Sequence, residues 1–303
     1  MTQIVLILGA NGKIGSHAAE AFWNAGWQVR RYSRETDDIT AAAMGADVIV
    51  NGLNPPHYHN WSGIIPRITR DVIAVARTSE ATVILPGNIY NFGTVDGAID
   101  PATPQNATTR KGRIRIEMEQ AYRTSGVPTI VLRAGNFITP DGNGDIMSML
   151  MLKQANRRKV TALGRPDARQ AYAYVPDWAR AALALAERRA DLPAFADIPF
   201  PGHCFTAADL RDALSHATGN RWRINRFPWW LMTACSPVWE LAREFREMRY
   251  LFEMDHWIDG ACFAKALPDF RQSPREEVML AGLPADIHPD QAVRTGRQTV
   301  ITQ

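Results

Sequence analysis

Ile4-Val-Leu-Ile-Leu8 runs directly into Gly9-Ala-Asn-Gly12-Lys-Ile-Gly15, and this stretch decides the fold. Five β-forming residues without polar alternation read as a parallel strand buried on both faces. From Ile14 to Ala25 the apolar residues take helical spacing, and Gly26 reads as the C-cap. Three glycines at GxxGxxG spacing therefore sit between a strand and a helix. Glycine there lets the backbone turn tightly and approach a pyrophosphate. The helix N-terminus offers free N–H groups and the positive end of its dipole. Gly9, Asn11, Gly12, Lys13, Ile14 and Gly15 are the candidate nucleotide ligands.

The grammar continues outward. Trp27–Tyr32, Asp47–Val50, Thr82–Leu85 and Thr129–Leu132 read as further strands, and 64–77 and 110–124 as helices between them. Strand and helix alternate, which predicts an α/β, Rossmann-type doubly wound parallel sheet. Arg34 to Ala46 is too short for a full helix and a full strand, so the sheet lacks a strand there or keeps a stub. After Arg133 glycine and proline punctuate the chain. A basic helix is expected at about 147–158, and an alanine-rich one to Arg189 with Asp177 as N-cap. Trp222, Trp229, Trp230, Trp239 and Trp257 crowd the C-terminal third. The expected organisation is a dinucleotide-binding domain (1–135 plus about 173–200) and a smaller, mostly helical substrate-side domain (about 136–172 and 201–303).

Composition narrows the function. The 303 residues suit about two domains at roughly 150 residues each. A net charge of +3, from 34 basic and 31 acidic residues, is too balanced to imply a nucleic-acid partner. Cys204, Cys235 and Cys262 form neither a metal motif nor a disulfide framework. The apolar stretch from Pro228 to Leu241 falls short of the roughly 20 residues of a membrane span. A cytoplasmic protein without a membrane partner is expected.

The glycine segment resembles the loop of extended and atypical short-chain dehydrogenase/reductases, the superfamily of nucleotide-sugar epimerases, dehydratases and related reductases. Ala46-Asp-Val-Ile-Val-Asn51-Gly52 resembles the superfamily's cofactor-lining strand, Val131-Leu-Arg133-Ala-Gly-Asn136-Phe137 its strand leading to substrate, and Tyr174-Val-Pro-Asp177-Trp-Ala-Arg a segment beyond it. The resemblance covers about residues 1–190. It implies cofactor contacts from Asn51, Gly52 and Leu53, a substrate contact from Asn136, and a homodimer through the helices at about 64–78 and 110–124.

At the adenosine end, an acid binds a ribose 2′-hydroxyl, whereas arginine accommodates a 2′-phosphate. The second strand ends Arg30-Arg-Tyr-Ser33-Arg34. Ser33 and Arg34 stand where a phosphate clamp would be, so NADP is expected ahead of NAD, with Glu35 as the competing ribose acid. Asp38-Ile39 resembles the superfamily's adenine-contacting pair.

The superfamily's usual Ser/Thr, Tyr and Lys are missing. Aligning Glu119 with the family glutamate puts Lys111 at the tyrosine position and Arg115 at the lysine position, and Asn88 in place of the Ser/Thr. Lys111-x-x-Ile114-Arg115-x-x-x-Glu119 is similar to the lysine helix of isoflavone-reductase-like enzymes, which implies proton transfer by Lys111. A lysine desolvated beside a nicotinamide and near Arg115 would lose its proton more readily. Tyr90, just past a strand's C-terminal end, is the rival acid. Asn88 and Arg115 would orient substrate or ribose. The bland alternatives are a solvated basic helix face and a packed loop tyrosine. His57 and His59 form an HxH pair without a third ligand, so no metal is expected, and His57 is a candidate substrate contact.

These residues point to an NADP-dependent reductase acting on a small organic carbonyl, imine or activated alkene. The alternatives are a nucleotide-sugar epimerase or dehydratase, and a non-catalytic NADP sensor or assembly protein.

Overall fold

The computed structural model describes residues 2–55, 59–140, 142 and 144–289. In chain order it opens β1 (Ile4–Leu8), α1 (Lys13–Asn24), β2 (Gln28–Tyr32), α2 (Ile39–Ala43), β3 (Val48–Asn51), α3 (Trp61–Ser79) and β4 (Thr82–Gly87). There follow β5 (Gly97–Ile99), α4 (Arg110–Ser125), β6 (Thr129–Arg133), β7 (Asn136–Ile138), β8 (Lys159–Ala162), β9 (Gln170–Tyr174), α5 (Val175–Glu187) and β10 (Phe195–Pro199). The remainder is β11 (His203–Phe205), α6 (Ala207–Thr218), β12 (Arg223–Arg226), α7 (Trp229–Cys235), α8 (Glu240–Glu247), α9 (Arg249–Glu253), β13 (His256–Ile258), α10 (Ala261–Ala266) and α11 (Arg275–Leu280).

Six strands form one parallel sheet in the order β10-β6-β4-β3-β1-β2. The apolar runs carry no alternation because both faces are covered. Val5 and Ile7 of β1 join Phe22 of α1 and Trp178 and Leu185 of α5, while Leu6 and Leu8 join Ile65 and Val72 of α3 and Met118 and Tyr122 of α4. The compressed segment after β2 holds only the five-residue α2, so β2 is the sheet edge. Arg30 straps that segment down by donating to the carbonyls of Ala42 and Met44 at 3.1 and 2.6 Å.

Smaller sheets, β11-β9-β7, β12-β8 and β13-β5, flank the large one. Around them Met147, Met151, Leu210, Trp222 and Trp229 build a second core. Two expectations need correction there. In place of a helix over 147–158 there is one wide π turn at Met147–Met151 and a 3-10 turn at Ala155–Arg157. The apolar spacing that suggested a helix reports the burial of Met147, Met151 and Ala155. Pairing of Gln154 with Lys159 ends the turn. Asp177 is not the N-cap of α5, which is Tyr174. It stands inside the first turn, where its carboxylate accepts from Ser273 N and Oγ at 2.7 and 2.9 Å and anchors the chain beyond α10.

Buried charge joins three elements under the sheet's C-terminal edge. Arg133 of β6 donates to Glu119 of α4 and Asp197 of β10, with shortest distances of 2.7 and 2.6 Å. The same guanidinium donates to the Asn88 carbonyl at 2.7 Å and so holds the turn after β4.

His256 of β13 is fully buried, and burial lowers its pKa from 6.5 to about 4. The unfolded chain therefore takes up a proton that the folded chain refuses. Stability from this group is whole above pH 6.5 and is lost as pH falls toward 4. Urea titrations between those limits are expected to show a slope of about 1.4 kcal/mol per pH unit from this group, absent in His256→Phe.

Candidate active site

The glycine loop closes on itself by backbone contact. Gly9 has φ +74°, and a Cβ there would stand 2.9 Å from the Gly52 carbonyl oxygen. A Cβ on Gly15 would overlap the Gly9 carbonyl oxygen, whereas one on Gly12 would stand 3.3 Å from it. The loop thus lies against the β3 exit with no room for side chains at Gly9 or Gly15. Gly12 caps α1 without a side-chain hydrogen bond. The first-turn N–H groups have no acceptor in their own helix and are available to an anion. Arg31 braces the loop by donating to the Ala10 carbonyl at 3.1 Å. Asn11 and Gly12 are exposed, Ile14 packs on the core, and the Lys13 ammonium reaches the Gly144 carbonyl at 2.6 Å.

Asn51 shapes the neighbouring turn. It is buried, its Oδ1 accepts from Leu53 N at 3.2 Å, and its Nδ2 donates to the Tyr122 hydroxyl at 3.3 Å. Leu53 then borders a cavity of about 330 Å3, with Tyr32, Arg34, Ile39, Arg67 and Asp71 among its other walls. The cavity lies beside the sheet's C-terminal edge, next to the glycine loop, where an adenosine moiety belongs in this topology. Arg34 lines it as the sequence suggested. Ser33 stands beside it, its N–H bound by Asp37 at 2.7 Å. Of the Asp38-Ile39 pair only Ile39 faces the cavity; the Asp38 carboxylate accepts from Thr40 N at 2.9 Å and caps α2. Arg67, one of the exposed residues of α3, had no sequence signal and is placed here by the fold alone.

At the other end of the cleft, Asn88 and Tyr90 follow β4. Asn88 Oδ1 accepts from Tyr90 N at 3.0 Å, and Tyr90 lies 6.5 Å, centroid to centroid, from Trp61 of α3. Arg115 stacks over the same Trp61 ring at 4.8 Å and donates to Asn54 Oδ1 at 3.2 Å. Tyr90, Trp61 and Arg115 therefore form one cluster at the exit of β3 and β4. Asn136 is half-buried at the start of β7. His57 lies outside the described residues. His59 pairs with Glu240 of α8 at 3.0 Å.

The surroundings expected for Lys111 are corrected. Its side chain is fully buried, and the ammonium pairs with Glu244 and, at 2.8 Å, with Glu247 of α8. Its backbone N–H also donates to Glu247 at 2.9 Å. Two carboxylates compensate the charge, the reverse of an amine left alone in an apolar pocket. Burial works to raise the Glu244 pKa, but hydrogen bonds from Lys111 and Arg110 outweigh it and hold the carboxyl below its usual range. Tyr250 of α9 completes this wall, with its hydroxyl pushed up to about 12 by burial. These C-terminal residues were missed from sequence. The signal that could have found them is the i, i+4, i+7 spacing of Glu240, Glu244 and Glu247, which marks one acidic helix face without naming what it meets.

Neither a protein-family model nor a curated protein matches the sequence. Solved structures do match over nearly the whole chain. UDP-glucuronic acid 4-epimerase from Bacillus cereus, in complex with UDP-glucuronic acid and NAD, superposes with a TM-score of 0.73 at 13% identity, covering 97% of this chain and 100% of that one. MoeE5 in complex with UDP-glucose and NAD gives 0.72 at 13%, covering 97% and 99%. UDP-glucose 4-epimerase from Brucella ovis in complex with NAD gives 0.69 at 16%, covering 92% and 97%. The chain has the Rossmann-type fold of these structures.

Two substitution series probe this geometry. Gly15→Ala, whose methyl would overlap the Gly9 carbonyl, is expected to lower stability to urea by about 2–3 kcal/mol, and Gly12→Ala by less than about 1 kcal/mol. Lys111→Met leaves Glu244 facing one cation fewer, and urea unfolding is expected to show a loss of about 3–5 kcal/mol, partly restored by adding Glu244→Gln.

Proposed function

We propose that the protein binds a nicotinamide dinucleotide along the glycine loop and works as an oxidoreductase on a small substrate held above β4 and β6. The observation that carries this is the contact of Gly9, Gly15 and Gly52, which leaves backbone room for a pyrophosphate beside the cavity of Arg34 and Leu53. When bound, the dinucleotide supplies a carbon that accepts or donates hydride. The chain's residues do the rest. The loop N–H groups hold the phosphates, Ile39 and Leu53 flank the adenine, and Arg115 with Asn88 orients ribose or substrate. Tyr90 holds the proton exchanged with the substrate oxygen, and Lys111 anchors the wall of the cleft through α8.

For the substrate, nucleotide-sugar epimerisation or dehydration is the leading reading, supported by the UDP-sugar complexes among the structural neighbours. Reduction of a small carbonyl, imine or activated alkene is the second. It is favoured by Lys111 and Arg115 at the positions where the resemblance expects tyrosine and lysine. For the cofactor, the neighbours are solved with NAD, whereas two arginines, Arg34 and Arg67, in one cavity wall favour NADP. A homodimer through α3 and α4 belongs to the same proposal.

The test is a paired titration of NADH and NADPH followed by turnover. NADPH preference that disappears in Arg34→Ala and Arg67→Ala establishes NADP; equal or better NADH binding establishes NAD. UDP-sugar conversion without net cofactor consumption supports the first substrate reading, and stoichiometric NAD(P)H oxidation with a carbonyl panel supports the second. In either case Tyr90→Phe is expected to lower kcat by about 100-fold or more with little change in cofactor affinity. Absence of binding by either nucleotide overturns the proposal.

A further inference from the structure

The C-terminal part carries a surface that the cleft does not use. Arg157, Arg158 and Lys159 lead into β8, and Arg221, Arg223 and Arg226 lie on or just before β12. The two strands run parallel, with Arg223 in register with Lys159 and its N–H donating to the Arg158 carbonyl at 3.0 Å. The five arginines are exposed and Lys159 is half-buried. Among the described residues none of these six side chains has an ion-pair or hydrogen-bond partner, and the nearby Asp212 is engaged by Arg211 at 2.7 Å. Cations left unpaired on one ribbon make a positive field that no local acid offsets.

The same ribbon leads into exposed apolar groups. β12 is followed after two residues by α7, and Trp230 and Leu231 of α7 are 73% and 40% exposed. The turn into α8 adds Val238 and Trp239, at 91% and 46%. Four of the seven large exposed apolar side chains among the described residues thus belong to one helical hairpin. The acids of α8 do not balance this face. Glu240 pairs with His59, and Glu244 and Glu247 turn inward onto Lys111. Arg243 is exposed and pairs with Glu244 at 3.8 Å.

We propose that this face, the β8–β12 ribbon with the α7–α8 hairpin, docks the protein on an anionic phospholipid bilayer. Indole rings are stabilised at headgroup level, where the ring is apolar and its N–H is wet, and clustered arginines are drawn to anionic lipid. The chain passes from the cations of β12 into the apolar hairpin within a few residues, Arg226 to Trp230, so one continuous segment offers both kinds of group. Nucleic acid would use the cations but gives no role to Leu231 and Val238. Among the described residues no helix is long and apolar enough to cross a membrane, and this docking needs none.

The experiment is cosedimentation of the full chain with vesicles of phosphatidylglycerol and phosphatidylcholine in equal parts, beside pure phosphatidylcholine. Binding to the anionic vesicles only, weakened by salt and accompanied by a blue shift of tryptophan emission, is the expected result. Arg221→Glu and Arg223→Glu are each expected to weaken binding at least about fivefold, and Trp230→Ser with Trp239→Ser to remove the blue shift. Circular dichroism checks that the variants fold. Four outcomes overturn the proposal. They are no binding to anionic vesicles, equal binding to neutral ones, displacement by millimolar inorganic phosphate, and equally tight binding of a single-stranded oligonucleotide. A dimer that dissociates in the Trp230→Ser, Trp239→Ser variant also overturns it, because the face would then be covered by a second copy of the chain.

Discussion

The close approach of the turn after β1 to the turn after β3 is the constraint on which the candidate site depends. Gly9 at φ +74° points its missing side chain at the Gly52 carbonyl, and Gly15 leaves room for the Gly9 carbonyl. Backbone therefore meets backbone at the C-terminal edge of the sheet, and α1 starts close enough to aim its first N–H groups at the same spot. Asn51 and Arg31 hold the arrangement from two sides, one through Leu53 N and the other through the Ala10 carbonyl. A methyl group at Gly15 would push these turns apart, and the cavity wall formed by Leu53 would move with them.

A second level of organisation is made of buried charge. Arg133, Glu119 and Asp197 tie β6, α4 and β10, while Lys111, Glu244 and Glu247 tie α4 to α8. Ion pairs withdrawn from water contribute little net stability relative to apolar packing, yet breaking one partner costs several kcal/mol, about 3–5. Both clusters draw on α4, one through Lys111 and the other through Glu119. Lys111, one of the candidate proton carriers read from the sequence, is held in a compensated cluster of one cation and two carboxylates.

Much of the fold was legible because its code is local. Uninterrupted apolar runs such as Ile4–Leu8 mark parallel strands; the first five strands of the large sheet were read within about two residues of their observed positions, whereas β10, Phe195–Pro199, which has no such run, was not read as a strand. The short segment after Arg34 was read as lacking a strand or keeping a stub, and it holds the five-residue α2 and no strand. Local reading failed where long-range contacts choose the conformation. Met147 to Arg158 has the composition of a helix but bends into a π turn and a 3-10 turn. Asp177 has the character of a cap but is drawn to Ser273, 96 residues away.

The site divides along the same line. The sequence by itself determined the glycine loop, the Asn51-Gly52-Leu53 turn and the position of Arg34, because turn geometry and strand ends are written in consecutive residues. The loss of the Tyr-x-x-x-Lys pattern was equally plain. Only the tertiary structure decided that Arg67 shares a cavity with Arg34 and that Lys111 faces Glu244 and Glu247, residues more than 130 positions later. It also decided that Arg115 stacks on Trp61. A side chain's chemistry is set by its partners' charge and distance. When those partners come from α3 or α8, no spacing along the chain records them, and folding alone brings them together.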